Sequence, residues 1–452
     1  MKFDNEKFIF NKEVYKCLEE KSSCVFVSNE YLKWFKTTVT GRDILERLDG
    51  NKTVVEVIEE LTELYELPKN MIYDDVQSFV ESAIKFHIIE KKGEEAQGKK
   101  EDMSLRVLYL EVTNECPHKC TYCNKTTCTK NFDHMEKELF TEIMTKISKF
   151  SNGEKVLINI TGGEPLFHPE LEYILKTCSD LGHTILLWTT GENMSKSMVT
   201  MIDKYCYGVV LPLDSSIEEV NDRIRYPGAY ASTIKAIEVL KDISIQTFVA
   251  TTPLRDNVDE LDRILNYVWS LGIAGMILNE PIKKNELDTD IGQYFVDNLS
   301  KIQAVKDALL KRVAIINSWE NNKLKKDYLQ KRKYPFTFID DVERCMNSPF
   351  RTIAKSHCGC GINELTVGVT GKVYPCHNLV NSRFEMGSIT EYEQRYVGSI
   401  SECNNCEYKL FCLGGCRARS YYEEEDINGK NPLCENEKKK THNILFSNIR
   451  PV

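Results

Sequence analysis

The chain of 452 residues is 42% hydrophobic and 28% charged, the balance of a folded globular protein with room for roughly two or three domains. Its net charge of −9 leaves no basic excess with which to displace phosphate counterions, which excludes a general nucleic-acid binder. No run approaches the ~18 apolar residues of a membrane span, and no apolar run follows a basic start, so a cytoplasmic protein is expected. There thiols stay reduced, and seventeen cysteines point to metal ligation before disulfides.

Residues 1–92 read as one small domain. β-like stretches at Phe8–Tyr15 and Cys24–Ser28 precede three helical patterns, with Leu48-Asp49-Gly50 between the first two. Val54, Val57, Ile58, Leu61 and Leu64 form one apolar stripe; Val76, Phe79, Val80, Ala83 and Ile84 form another. This is the outline of a winged helix-turn-helix. Such a module often binds nucleic acid, but fourteen Lys or Arg against eighteen Asp or Glu is the wrong balance for that.

Between Lys91 and Asp102 only Ala96 is apolar, so residues 93–103 are expected to be a linker. Over 104–283 the grammar changes. β-rich runs at Val107–Val112, Val156–Ile160, Thr184–Trp188, Gly208–Leu213, Gln246–Ala250 and Gly275–Leu278 alternate with amphipathic helical stretches. Six βα units are too few for a closed eight-stranded barrel, and the expected class is α/β, a partial (β/α)6 barrel. Residues 284–344 read as a charged helical bridge. From 345 to 452 the chain is rich in cysteines and turns, as expected of a domain stabilised by inorganic clusters.

Cys116, Cys120 and Cys123 stand in the loop after the first strand of the repeat, at the carboxyl end where parallel βα folds assemble their sites. Three thiolates on a four-iron cubane leave one iron free for a small molecule bearing an amine and a carboxylate. Zinc is the alternative, but its fourth ligand would have to be His118 or Cys128, neither at a familiar spacing.

With Tyr122 before the third cysteine, this CxxxCxxC segment resembles the radical SAM superfamily over Arg106 to Leu278. The resemblance implies an oxygen-sensitive [4Fe–4S] cluster on Cys116, Cys120 and Cys123, reductive cleavage of S-adenosylmethionine, and a flavodoxin- or ferredoxin-type electron donor. Thr161-Gly162-Gly163-Glu164-Pro165 matches the family's GGEP segment. There the glycines let the backbone approach a ligand, Glu164 and the glycine backbone accept from its ammonium group, and Pro165 fixes the exit. Trp188 to Asn193 resembles the TTNG segment, with Glu192 in place of the common Asn, and implies ribose contacts from Thr190 or Asn193. Leu213-Asp214-Ser215 and the run Asn221–Arg225 resemble the region whose arginine, here Arg225, pairs with the methionyl carboxylate. Tyr226 stands where glycine is usual.

The later cysteines, Cys358, Cys376, Cys403, Cys406, Cys412, Cys416 and Cys434, with Gly371 and Pro375, resemble the SPASM domain of peptide-modifying radical SAM enzymes. That likeness implies two auxiliary [4Fe–4S] clusters, three in all. Cys403, Cys406, Cys412 and Cys434 would hold the outer one, and Cys358, Cys376 and Cys416 the inner one. The fourth inner ligand is Cys345, Cys360 or none. Cys17, Cys24, Cys178 and Cys206 read as buried apolar thiols or bystanders.

Leu48 to Val55 also resembles the central signature of the PqqD-like peptide recognition element, which adds an extended leader peptide to a sheet edge. Together these likenesses imply a maturase of a ribosomally made peptide, thioether formation being the first choice of product. Carbon–carbon crosslinking and sulfatase-type formylglycine formation are the alternatives.

Overall fold

Local signals set the first elements. Thr53 caps a helix by accepting from the Glu56 backbone, while the Glu56 carboxylate accepts from the Thr53 backbone at 2.7 Å, a reciprocal box that fixes where the helix begins. The computed structural model describes residues 3–28, 33–93, 104–123, 132–279, 308, 337–339, 351–352, 360–393, 400–408, 414–443 and 445–446. Most of the expected linker and bridge, and Cys128, Cys345, Cys358 and Cys412, lie outside the described residues.

The N-terminal strands are β1 (Phe8–Ile9), β2 (Lys16–Glu20), β3 (Ser23–Ser28) and β4 (Lys33–Thr38), followed by α1 (Val39–Arg47), α2 (Val54–Tyr65), α3 (Lys69–Lys85) and β5 (Glu90–Lys91). The expected stretch Phe8–Tyr15 is corrected: only Phe8–Ile9 is strand, and Lys12–Val14 forms a single 3₁₀ turn. Phe10, Tyr15, Phe26 and Phe35 meet ring to ring in a core shared with Ile44, Leu45, Val57, Ile58 and Val76. Leu64, expected on the buried stripe of α2, is 52% exposed.

The second unit runs β6 (Val107–Thr113), α4 (Lys137–Phe150), β7 (Leu157–Gly162), α5 (Leu171–Asp180), β8 (Thr184–Trp188), α6 (Lys196–Tyr205) and β9 (Gly208–Pro212). It continues with α7 (Glu218–Ile224), α8 (Ala229–Leu240), β10 (Gln246–Thr251), α9 (Leu261–Ser270) and β11 (Gly275–Leu278). These six strands pair in parallel, each with its sequence neighbour. The sheet extends beyond them. Outside β11 lies β12 (Thr337–Ile339), also parallel, and after β13 (Arg351–Thr352) come β14 (Glu364–Val367), parallel to β6, and β15 (Val373–Tyr374). Residues assigned to a bridge and a separate C-terminal domain thus complete a nine-stranded sheet, because each open edge offers unpaired backbone groups that another strand satisfies.

Alternation divides this sheet into two faces. Leu108, Leu110, Ile158, Ile160, Val209, Leu211 and Val249 pack under α4 to α9 in the main core, each buried side chain contributing about 1.5–3 kcal/mol. Leu186, Trp188, Val210, Phe248, Ala250 and Ile277 share a smaller cluster on the other face, where the Trp188 indole donates to Asn159 at 2.9 Å. The C-terminal described residues add α10 (Arg417–Glu424) and α11 (Cys434–Asn443). No described helix is long and apolar enough to cross a membrane.

Near the end of β6 the register slips between Glu111 and Thr113, a bulge that re-aims the strand as it enters the cysteine loop. There β7 presses against it. A Cβ on Gly162, at φ +132°, would stand 2.2 Å from the Thr113 carbonyl oxygen, and one on Gly163 would stand 2.1 Å from that of Glu115. Gly163→Ala is expected to cost about 1–3 kcal/mol or more, because the obstacle is backbone. Urea denaturation of the metal-free variant checks this, and unchanged stability would contradict the close approach.

Candidate active site

The loop that leaves β6 holds Cys116, which is buried, and Cys120 and Cys123, which are half-buried. Burial pushes the Cys116 thiol up to about 12, with Glu164, Cys123 and Cys120 adding in the same direction. Burial likewise raises Cys120 to about 11, with Arg225 pulling it back and Cys123 and Asp214 reinforcing the rise. The three thiols therefore lie within electrostatic reach of one another and of Glu164, Asp214 and Arg225. Thr121 fastens the loop, its backbone and hydroxyl donating to the Ile224 carbonyl at 3.1 and 2.7 Å.

At the centre stands Asp214, fully buried at the end of β9. Its Oδ2 accepts from Arg225 Nε at 2.6 Å and from the Tyr122 hydroxyl at 2.8 Å, and its Oδ1 accepts from the Thr252 backbone at 2.7 Å. Arg225 Nη2 donates to the Tyr122 hydroxyl as well. Burial alone would lower the Arg225 pKa, but Asp214 and Tyr122 hold the guanidinium charged, far above its ordinary value. Desolvation raises Tyr122 well above the usual phenol range, so it stays a neutral donor. The cysteine loop, the end of α7 and the end of β10 thus converge on one carboxylate.

A second buried carboxylate joins two strand ends. Glu164 Oε1 accepts from the Thr189 hydroxyl at 2.5 Å and the Leu166 backbone at 3.1 Å, and Oε2 accepts from the Thr190 backbone at 2.7 Å. Pro165 opens the 3₁₀ turn Pro165–Phe167 that follows. The glycines before Glu164 make room for the protein's own loop backbone on the side where a Cβ would stand. Asn193 is exposed and left-handed, at φ +54°, in the turn after Gly191.

Sequence reasoning missed a contact made by two departures from the family pattern. The His118 ring stacks on Tyr226, centroids 3.5 Å apart, and its Nε2 lies 2.6 Å from Glu192 Oε2 without hydrogen-bond alignment. Glu192 and Tyr226 each stood out in the sequence, but their meeting over the cysteine loop depends on the fold. Thr252 and Asn257, whose amide holds the Asp214 and Thr252 carbonyls, were likewise unmarked by any spacing, and Thr189 was marked only as part of the segment Trp188 to Asn193.

Farther on, Cys360, Cys376 and Cys416 share one apolar cluster with Leu379, Ala418, Tyr421 and Tyr422. Cys403 is raised by burial, then by Cys406 and Cys434, so these three thiols lie within electrostatic reach of one another. Cys178 and Cys206 are buried in the main core, Cys24 in the N-terminal one, and Cys17 is exposed. Among the described residues no three His, Cys, Asp or Glu side chains converge to hold a single ion.

Residues 110–268 match the model of the Radical SAM superfamily, and residues 23–89 that of Coenzyme PQQ synthesis protein D. The protein is a radical S-adenosylmethionine enzyme. Among curated relatives, the antilisterial bacteriocin subtilosin biosynthesis protein AlbA of Bacillus subtilis is 23% identical, covering 86% of this chain and 84% of its own. The PqqA peptide cyclase of Bradyrhizobium diazoefficiens is 22% identical over 72% and 84%. Streptococcus suis SuiB bound to S-adenosylmethionine superposes with a TM-score of 0.55 at 14% identity, covering 94% of this chain and 99% of that one. That likeness shows the fold, a radical SAM α/β core with a partial, barrel-like parallel sheet. Enzymes of this kind work with a [4Fe–4S] cluster and S-adenosylmethionine. The donor set fits in its chemistry: three thiols within electrostatic reach of one another share the loop, and its histidine is engaged by Tyr226 and Glu192.

Asp214→Ala and Arg225→Met each leave a charge buried without its partner and should cost about 3–5 kcal/mol. The double variant should recover about 1–3 kcal/mol of the sum, and a double-mutant cycle by urea denaturation measures this. His168, four residues after Glu164, accepts from the Glu170 backbone at Nδ1 and faces the Met135 carbonyl at Nε2, the contacts of a neutral ring. Burial, opposed by the Met135 contact and reinforced by His134, lowers its pKa below 6.5. Its stabilisation is thus present above pH 6.5 and lost as the pH falls through the depressed folded value. Stability should drop as the pH falls below 6.5, and by less in His168→Gln.

Proposed function

We propose that the enzyme installs a thioether crosslink in a ribosomally made precursor peptide, whose leader is held by residues 1–92. The observation that carries this reading is that one chain joins a PqqD match to a Radical SAM match. The likeness to AlbA, a bacteriocin biosynthesis protein, covers 86% of this chain, and SuiB, whose fold this chain shares, has been crystallised bound to precursor peptide SuiA.

Cys116, Cys120 and Cys123 hold the [4Fe–4S] cluster, and Tyr122, Gly162, Gly163, Glu164, Pro165, Thr190, Asn193, Asp214 and Arg225 form the S-adenosylmethionine site around it. Bound there, cluster and cofactor supply a 5′-deoxyadenosyl radical that takes a hydrogen atom from a peptide residue. Asp214 keeps Arg225 charged and oriented toward a carboxylate, and Glu164 fixes the Thr189–Thr190 turn beside the ribose. Cys403, Cys406, Cys412 and Cys434 hold an outer auxiliary cluster. Cys358, Cys376 and Cys416 hold an inner one, and the burial of Cys360 beside Cys376 and Cys416 supports it as the fourth ligand. A second reading, carbon–carbon crosslinking, has the peptide-cyclase likeness in its favour.

The test incubates anaerobically reconstituted enzyme, carrying about twelve irons, with S-adenosylmethionine, reductant and candidate precursors, short cysteine-containing peptides sought in the adjoining reading frames. A two-hydrogen mass loss blocked by prior thiol alkylation is expected. The same loss with every thiol still alkylatable would replace the thioether by a carbon–carbon bond. The Cys116→Ala, Cys120→Ala and Cys123→Ala variants should each abolish 5′-deoxyadenosine, and continued production would sink the site assignment.

A further inference from the structure

The N-terminal sheet has strand order β13-β4-β3-β2. Its outer strand beside β4 thus comes from far along the chain: Arg351 pairs antiparallel with Trp34 and Thr352 with Lys33. β4 is six residues long and β13 only two, so Phe35 to Thr38 have no strand partner on that side among the described residues.

Both faces of this sheet are already covered. Phe26 and Phe35 enter the core under α1 to α3. On the opposite face Leu18, Val25, Val27 and Trp34 are buried, and Lys36 Nζ donates to the Phe446 carbonyl at 3.2 Å. An incoming extended peptide therefore meets the sheet at an edge. Along β2, Lys16 pairs with Glu407 at 3.0 Å and Glu20 with His442 at 2.8 Å, which puts C-terminal residues at both ends of that strand. The β4 edge is longer and only partly filled.

We propose that Arg351–Thr352 are a placeholder on β4 and that an extended leader peptide displaces them to pair along Lys33–Thr38. This rests on the leader-binding reading above and adds its regulation. A two-residue pairing contributes few backbone hydrogen bonds, each of modest net value, whereas a peptide along the whole strand forms several times as many. The short strand yields to a long partner yet keeps the edge from pairing with unrelated strands. In sequence it stands six residues from Cys345 on one side and six from Cys358 on the other, so its release reaches the stretch joining two candidate auxiliary ligands.

The test uses holoenzyme and two fluorescein-labelled synthetic peptides. One carries the chain's own residues Asn347 to Ser356, and the other the N-terminal half of the precursor peptide that the enzyme modifies in the test above. In the double variant Arg351→Pro/Thr352→Pro, which cannot hold the edge, leader affinity by anisotropy should tighten roughly tenfold, and the own-sequence peptide should bind in trans. Equal leader affinity in both proteins would overturn the placeholder and leave the leader reading standing, whereas no leader binding to either would overturn the reading itself. On the wild-type enzyme, independent of any folding defect in the variant, hydrogen exchange at Arg351–Thr352 should accelerate when the leader is added. Unchanged exchange with leader bound would also overturn the placeholder.

Discussion

A fully buried carboxylate needs partners, and Asp214 organises the site by that requirement. Removed from water, it is stable only where cationic and hydroxyl donors reach it, and those donors come from three different parts of the chain. Tyr122 brings the cysteine loop, Arg225 the end of α7, and Thr252 the end of β10. Shifting any one of them leaves a charge unpaired in a low-dielectric setting, so the three are fixed together. The cysteines inherit their placement from this constraint, because Tyr122 sits between Cys120 and Cys123.

Glu164 does similar work across the first three strand ends of the barrel. Its carboxylate holds Thr189 and Thr190 while the glycines before it lie against the backbone of Thr113 to Glu115. The mouth of the partial barrel is therefore built from backbone contact on one side and buried ion pairing on the other. Neither depends on loop side chains that solvent would loosen.

The N-terminal and C-terminal parts are joined through more than sequence. β14 extends the barrel sheet from the far side of β6, β13 extends the N-terminal sheet, and Lys36 reaches the Phe446 carbonyl. The N-terminal sheet is thereby in direct contact with the cysteine-rich segment.

Strand periodicity was strong enough in the sequence to place the six barrel strands. Thr184–Trp188 and Gly275–Leu278 agree at both ends, because a buried parallel strand must be apolar along its length whatever its neighbours. The cysteine spacing was equally legible, since three thiols within eight residues are neighbours by chain length alone. β2, β4, β12 and β14 were not legible: their residues are mixed or short, and what makes them strands is pairing, with the adjacent β3 for β2 and β4 and with distant sheet edges for β12 and β14. Nor was the work of Gly162, Gly163, Glu164 and Arg225, whose side chains or backbone are met first by the protein's own groups. The sequence by itself determined which chemistry-bearing residues exist and on which strand ends they fall. Only the tertiary structure decided which buried charges pair and which edges close, because those contacts, whether between Asp214 and Arg225 eleven positions apart or between β6 and β14 far apart in the chain, are set by desolvation and edge pairing, to which local pattern is blind.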